Sequence, residues 1–288
     1  MTTRLWKYEG LGNDFLVLFD GAGVEATAPL AIALCDRHRG VGADGLLSLA
    51  KGNGDVDLAM VLHNADGSLA ETSGNGLRCA VLAALHAGMV PTDRPILVGT
   101  GAGTARAELL TRGDLGEADI RVTMGVVEVA EEVATPLASH RAFAVSVGNP
   151  HLVLYGGPNG AERPVLAELG ARIDRSRPDG VNVELVESVE ADGTIEIAVW
   201  ERGVGLTMAC GSGSCAVAAA LRAAGVVGDE VRVRNPGGVL SVSLSGSPAA
   251  PRAALTGPAR RVAQVLVEPA DLPLVGALRA RGEAVGRL

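Results

Sequence analysis

The chain has 288 residues, 48% of them apolar but only 2% aromatic, and a formal net charge of -8. That length suffices for one large domain or two ordinary ones, with cores built from Ala, Val and Leu. The acidic balance, with a pI near 5.2, argues against a nucleic-acid or anionic-membrane surface.

From the N-terminus, "MTTRLWKYEGLGNDF" lacks the apolar core of a signal peptide. No apolar run reaches the roughly 18 residues that a spanning helix needs, so the expectation is a cytoplasmic protein without a membrane partner. The runs "DFLVLFD", "GLLSLA" and "DLAMVLH" follow, rich in Val and Leu and read as strands. "GNGLRCAVLAALHAGMV" then reads as a helix apolar around most of its circumference, and so buried. It meets Gly88 where a left-handed cap would sit. "VGTGAGTA" lacks the GxGxxG spacing of a dinucleotide loop and reads as a hairpin turn, and "GDLGEAD" (113–119) reads as a domain boundary. Beyond it come strand-like "FAVSVG", "HLVLYG", "VNVELVE", "TIEIAVWE" and "LSVSLSG". A second apolar helix, "GSGSCAVAAALRAAGVV", ends at Gly225, and "NPGGV" marks a hairpin turn.

Several chemistries are disfavoured by what is missing. Cys35, Cys79, Cys210 and Cys215 form no CxxC, and five histidines show no metal-ligand spacing, so neither a disulfide framework nor a metal site is expected. Lysine occurs only at Lys7 and Lys51. Pyridoxal phosphate needs a lysine for its Schiff base, and no cofactor is expected.

The two halves repeat one another. "GNDFLVL" matches "GNPHLVL" with Asn13 and Asn149 136 positions apart, and Asp44 and Asp179 are 135 apart. Asn64 and Glu201, and likewise Ser73 and Cys210, are 137 apart. Matches in one order at a nearly constant offset point to an internal duplication, and a period this long points to two domains rather than a solenoid. The fold class expected is α+β: two pseudo-symmetric domains, each with strands wrapped around a central apolar helix. The domains are expected at 1–118, with a returning strand near 262–270, and at 119–261, leaving 271–288 as a tail.

Ser73 and Cys210 each stand before a Gly-x-Gly turn that opens one of these helices. The first N–H groups of a helix have no internal partner, and the dipole adds positive charge there. Such an end binds a carboxylate and favours a thiolate over a thiol. Two such ends facing one another across a domain cleft would hold one carboxylate and flank one carbon. That arrangement suits removal of a proton from one face of an amino-acid α-carbon and delivery to the other, without a cofactor. Cys79 and Cys215, inside the apolar runs, read as core.

The segments "GLGNDF", "RGVGADG", "NADGS", "SGNGLRC", "GNPH", "GVNVE", "ERG", "ACGSGSCA", "PGG" and "TGPA" span Gly10 to Ala259. In this order they resemble the diaminopimelate epimerases, cofactor-independent enzymes of lysine and cell-wall precursor synthesis. The resemblance implies two pseudo-symmetric domains with the last strand returning to the first, and a tendency toward homodimers. It implies that Cys210 is one proton-transfer group and that Ser73 occupies the place of the other. It implies that backbone N–H groups at Gly74, Asn75, Gly211 and Ser212 hold the reacting carboxylate. Asn13, Asn64, Asn149, Asn182, Glu201 and Arg202 would recognise the remaining amino and carboxylate groups. The asparagines could instead cap turns.

In the family pattern both lead residues are cysteine, whereas this chain has Ser73. A hydroxyl ionises far less readily than a thiol. Three readings stay open: an epimerase in which Ser73 relays a proton, a one-base lyase, dehydratase or racemase on another amino acid, and a protein that binds an amino acid without turnover. The first is favoured because the residues for a two-ended substrate all match.

Overall fold

The computed structural model describes residues 2–70, 73–113, 116–134, 137, 139–156 and 165–268. The expected tail at 271–288 and the last two residues of the expected returning strand lie outside them. The protein is a mixed α/β fold, rich in strands and poor in helices. Its contacts divide it into two compact units, Met1–Ile120 with Pro258–Leu288, and Arg121–Gly257.

The first unit begins with β1 (Thr3–Gly10), β2 (Asn13–Phe19), α1 (Ala28–Cys35), β3 (Gly45–Lys51) and β4 (Leu58–Asn64). Then come α2 (Gly74–His86), β5 (Ile96–Thr100), β6 (Gly103–Arg112) and β7 (Glu117–Val126), which runs unbroken past Ile120. β1–β2, β3–β4 and β5–β6 are antiparallel pairs, while β2–β3 and β4–β5 are parallel. Parallel neighbours need a crossover, which α1 and α2 supply. The strand order β1-β2-β3-β4-β5-β6-β7 continues to β16 (Arg252–Val267), which pairs back onto β1 and closes the sheet.

The second unit holds β8 (Glu128–Val133), β9 (Arg141–Ser146), β10 (Pro150–Tyr155), α3 (Leu166–Arg175), β11 (Asn182–Val189) and β12 (Ile195–Glu201). β13 (Gly205–Leu206), α4 (Gly211–Ala223), β14 (Glu230–Asn235) and β15 (Gly238–Ser245) complete it, with the first part of β16. β10–β11 and β12–β14 are the parallel pairs here, spanned by α3 and α4. The antiparallel pairs are β8–β9, β9–β10, β11–β12, β12–β13, β14–β15 and β15–β16.

All the runs read as strands from the sequence are strands, and both proposed turns join hairpins, at Thr100↔Gly103 and Asn235↔Gly238. Each unit has a second helix that the reading of one dominant helix omitted. α1 packs Leu30, Ala31 and Leu34 onto Leu16, Leu18 and Leu46. α3 packs Leu166, Leu169 and Ile173 onto Leu152, Leu154 and Val183.

α2 and α4 are buried along most of their thirteen residues. Removing each Leu or Val from water contributes roughly 1.5–3 kcal/mol. Both helices stop alike. Met89 N–H donates to Ala84 O and Val226 N–H to Leu221 O, each at 2.9 Å, and Gly88 and Gly225 take φ of 67° and 73°. These are Schellman stops, where glycine carries the left-handed conformation at least cost. Among the described residues no helix is long and apolar enough to cross a membrane.

Candidate active site

In the first unit, α2 begins where Ser73 leaves extended backbone (φ -141°, ψ 105°) and its Oγ accepts the Gly76 N–H at 3.0 Å. A Cβ on Gly76 would stand 2.9 Å from that oxygen, so the cap needs glycine there. Asn75, 3% exposed, donates from Nδ2 to Asn13 Oδ1 at 3.2 Å. Asn13 opens β2 after a turn at Leu11 and Gly12, with φ of 58° and 86°. Two successive positive φ values are the signature of a tight hairpin turn. At Leu11, which carries a Cβ, this conformation costs on the order of 1 kcal/mol, and that strain sits two residues from Asn13. Asn64, at the end of β4, donates to Ser68 Oγ at 3.0 Å.

The second unit repeats the device with sulfur. Cys210 (φ -120°, ψ 115°) caps α4, and its Sγ accepts the Gly213 N–H at 3.3 Å. The Ser212 hydroxyl lies 3.5 Å from Sγ. The main chain of Cys210 is held on both sides: its N–H donates to Asn235 Oδ1 at 3.2 Å, and its carbonyl accepts the Ser214 hydroxyl at 2.8 Å.

A thiol at a helix start is expected to ionise readily, yet Cys210 does the opposite, its pKa lying well above the usual thiol value. Burial is the main cause, followed by the charges of Glu201 and Glu184; these outweigh the Ser212 hydroxyl and the Gly213 N–H, which favour the thiolate. Glu201 in turn is pushed upward by burial, against the Thr207 hydroxyl that donates to its Oε1 at 2.6 Å. Burial and the two glutamates thus all favour the protonated form of the thiol.

Other expected residues gather in the same unit. The Arg202 N–H donates to Asn182 Oδ1 at 3.0 Å, Arg202 Nη1 donates to the Asp179 carbonyl, and Asn182 Nδ2 donates to the Pro150 carbonyl at 2.9 Å. Asn149 Oδ1 stands 3.0 Å from His151 Nε2, and His151 Nδ1 stands 2.7 Å from Glu184 Oε1. Glu184 is fully buried, and a Cβ on Gly213 would come within 2.5 Å of its Oε1. The carboxylate thus lies against the opening turn of α4.

Asn13, Asn64, Ser73, Gly74 and Asn75 accordingly belong to the first unit. Asn149, Asn182, Glu201, Arg202, Cys210, Gly211 and Ser212 belong to the second. His151, Glu184, Thr207 and Asn235 carry polar functions around Cys210 that the sequence reading did not assign. His151 and Glu184 lie inside "GNPH" and "GVNVE", but a single His and a single Glu 33 residues apart have no spacing that announces a pair.

A family model described as diaminopimelate epimerase matches residues 5–130 and 143–262. The diaminopimelate epimerase of Microcystis aeruginosa is 36% identical over 279 residues, covering 89% of this chain and 95% of the relative. That of Desulforudis audaxviator is 39% identical over 261 residues, covering 82% and 89%. Among solved structures, a hydroxyproline epimerase from Agrobacterium vitis with bound trans-4-hydroxy-L-proline shares the fold, with a TM-score of 0.74 at 21% identity over 96% of this chain and 94% of that one.

Proposed function

The chain belongs to the diaminopimelate epimerase family and is a cofactor-independent epimerase, and from that premise we propose that it converts L,L-diaminopimelate to the meso form in lysine biosynthesis. The observation that carries the reading is the matched pair of helix starts. Each is capped by one small acid–base side chain that accepts the N–H three residues on, Ser73 from Gly76 and Cys210 from Gly213.

In this reading Cys210 exchanges a proton with the substrate α-carbon. Glu201, whose charge bears on the thiol, takes the thiol proton when the thiolate is needed. Ser73 supplies the proton exchange on the opposite face. Its hydroxyl gives its proton to the carbanion as it takes one from water, the hydroxide left being neutralised by the proton that Cys210 gains and releases to solvent, so Ser73 never has to exist as an alkoxide. The N–H groups of Gly74 and Asn75, and those of Gly211 and Ser212, offer helix-start sites to the substrate carboxylate. Asn13, Asn64, Asn149 and Asn182 recognise polar groups of the substrate. Arg202 suits the distal carboxylate, which a guanidinium can hold bidentately.

The two units are, in this reading, descendants of one duplicated domain, with α2 and α4 as the corresponding central helices. The shared order of hairpin, crossover helix, hairpin, crossover helix, hairpin supports it, as does the constant sequence offset. The domains we assign are 1–118 with the returning strand, and 119–261. A cytoplasmic homodimer acting on a free amino acid completes the proposal.

The test is incubation of the purified protein with L,L-diaminopimelate in deuterium oxide. Conversion to the meso isomer with deuterium at the α-carbon is expected. Binding without either would overturn the reading, and a keto acid from hydroxy amino acids would establish a lyase instead.

A further inference from the structure

Four side chains of the first unit form a directional hydrogen-bond wire. Asp44 Oδ2 accepts Asn13 Nδ2 at 2.7 Å, Asn13 Oδ1 accepts Asn75 Nδ2 at 3.2 Å, and Asn75 Oδ1 accepts Arg78 Nη2 at 2.8 Å. We propose that Asp44 and Arg78 are positioning residues that fix, from opposite ends, which way the Asn13 and Asn75 amides face. The proposal rests on the reading above in taking Asn13 and Asn75 as substrate-binding residues.

The argument is one of polarity. A carboxylate only accepts hydrogen bonds and a guanidinium only donates them, whereas an amide has one end of each kind and can turn over. With an acceptor-only group at one end and a donor-only group at the other, a single orientation of both amides satisfies every link. Turning Asn13 alone would set its oxygen against Asp44 and its NH2 against the NH2 of Asn75. Turning both would set the Asn75 NH2 against Arg78.

Both ends are anchored. Arg78 is fully buried and donates from Nε to the Pro258 carbonyl at 3.2 Å. A Cβ on Gly10 would stand 3.2 Å from Arg78 Nη2, so the glycine before the β1–β2 turn leaves room for the guanidinium. Asp44 is fixed more elaborately. Its Oδ2 also accepts the Asp14 N–H at 3.0 Å, and its Oδ1 accepts Arg37 Nη2 at 2.7 Å. Its main chain bonds to both neighbouring segments: its N–H donates to the Asp14 carbonyl, and its carbonyl accepts the Ala65 N–H beside Asn64. Asp44 thereby ties Asn13 and the Asn64 turn to one point.

Asp44→Asn is the informative change, because it removes little volume but makes the acceptor-only end ambiguous. An amide oxygen cannot serve Arg37 on one side and Asn13 with the Asp14 N–H on the other. Two readouts decide the proposal. In 15N NMR of the side-chain amides, Asp44→Asn should move the Asn75 signal, although the two residues do not bond directly, and should leave it unmoved in an Asn13→Ala background. In kinetics, Asp44→Asn should raise KM about tenfold with kcat nearly unchanged, and should add nothing to Asn13→Ala. An unmoved Asn75 signal in folded Asp44→Asn, or kinetic effects that simply add, would overturn it. If Asp44→Asn does not fold, the other end serves. Arg78→Lys keeps a donor and should leave the Asn13 amide where it is, Arg78→Met should shift it, and equal effects would overturn the proposal. The NMR readout needs no turnover, so it decides the wiring separately from whether the wild-type protein epimerises diaminopimelate.

Discussion

Glu201 is the charged group that bears most strongly on the Cys210 thiol, and burial pushes the pKa of both groups upward. Surroundings of this kind favour the protonated thiol over the thiolate. Glu201→Gln removes the largest cause other than burial. Its Cys210 should react with iodoacetamide at pH 8 faster than in the wild type, because the thiolate becomes less costly, while epimerisation falls. Peptide-resolved mass spectrometry reads the first effect, and an unchanged rate would mean that burial alone holds the proton.

Ser73 is the position where a thiol should help. Ser73→Cys is expected to raise kcat for interconversion of the diaminopimelate isomers about tenfold, and Ser73→Ala to lower it about a hundredfold, within the usual range for a lost acid–base group. Chiral chromatography of the products measures both. A fall with Ser73→Cys would mean that the relay needs the hydroxyl itself and is not limited by its weak acidity.

Asn235, 3% exposed, takes the Cys210 N–H and itself donates to Ser214 Oγ at 3.0 Å. Asn235→Ala leaves a buried donor without its acceptor and should lower stability by about 1–3 kcal/mol, measured by urea unfolding. Asn235→Asp keeps the acceptor but adds a carboxylate beside the thiol. It should slow alkylation of Cys210 further, whereas Asn235→Ala should not.

Alkaline pH should destabilise the fold. Burial raises Cys35 and Cys79 to about 12 from an ordinary value of 9.0. The folded state therefore keeps protons that the unfolded chain releases, and stability is full below pH 9 and declines as pH rises toward 12. Each such thiol should contribute a loss of about 1.4 kcal/mol per pH unit within that window. Unfolding free energies at pH 8 and pH 10 test this, and Cys79→Ala should make the decline shallower.

The helices that open at Ser73 and Cys210 were legible because an all-apolar run after Gly-x-Gly leaves few alternatives. α3 was not read from the sequence, although Leu166, Leu169, Gly170 and Ile173 lie on one buried stripe with helical spacing. α1 is harder: its eight residues are apolar on every side, and a short apolar run has no period that separates helix from strand. At the site, residues within one turn could be read from order alone. Partners brought together by the fold could not, as with Asp44 on Asn13 or Glu184 on His151. The raised pKa of Cys210 was hidden for the same reason, because the local helix argues for a thiolate while burial by the fold, and then Glu201 and Glu184 from elsewhere in the chain, argue against it.

The pairing of β1 with β16, from Thr3↔Val267 to Glu9↔Arg260, has a consequence for biosynthesis. The first unit is interrupted in sequence and the second is contiguous. As the chain is made, β1 precedes the second unit and β16 follows it, so the β16 edge of β1 stays open until the second unit has been synthesised. The later-encoded unit can finish first, while the earlier one waits for a closing strand that comes at a large loop-closure cost. A chain halted near Gly257 would release a nascent product with an unpaired edge, the kind of surface that chaperones cover and aggregates recruit.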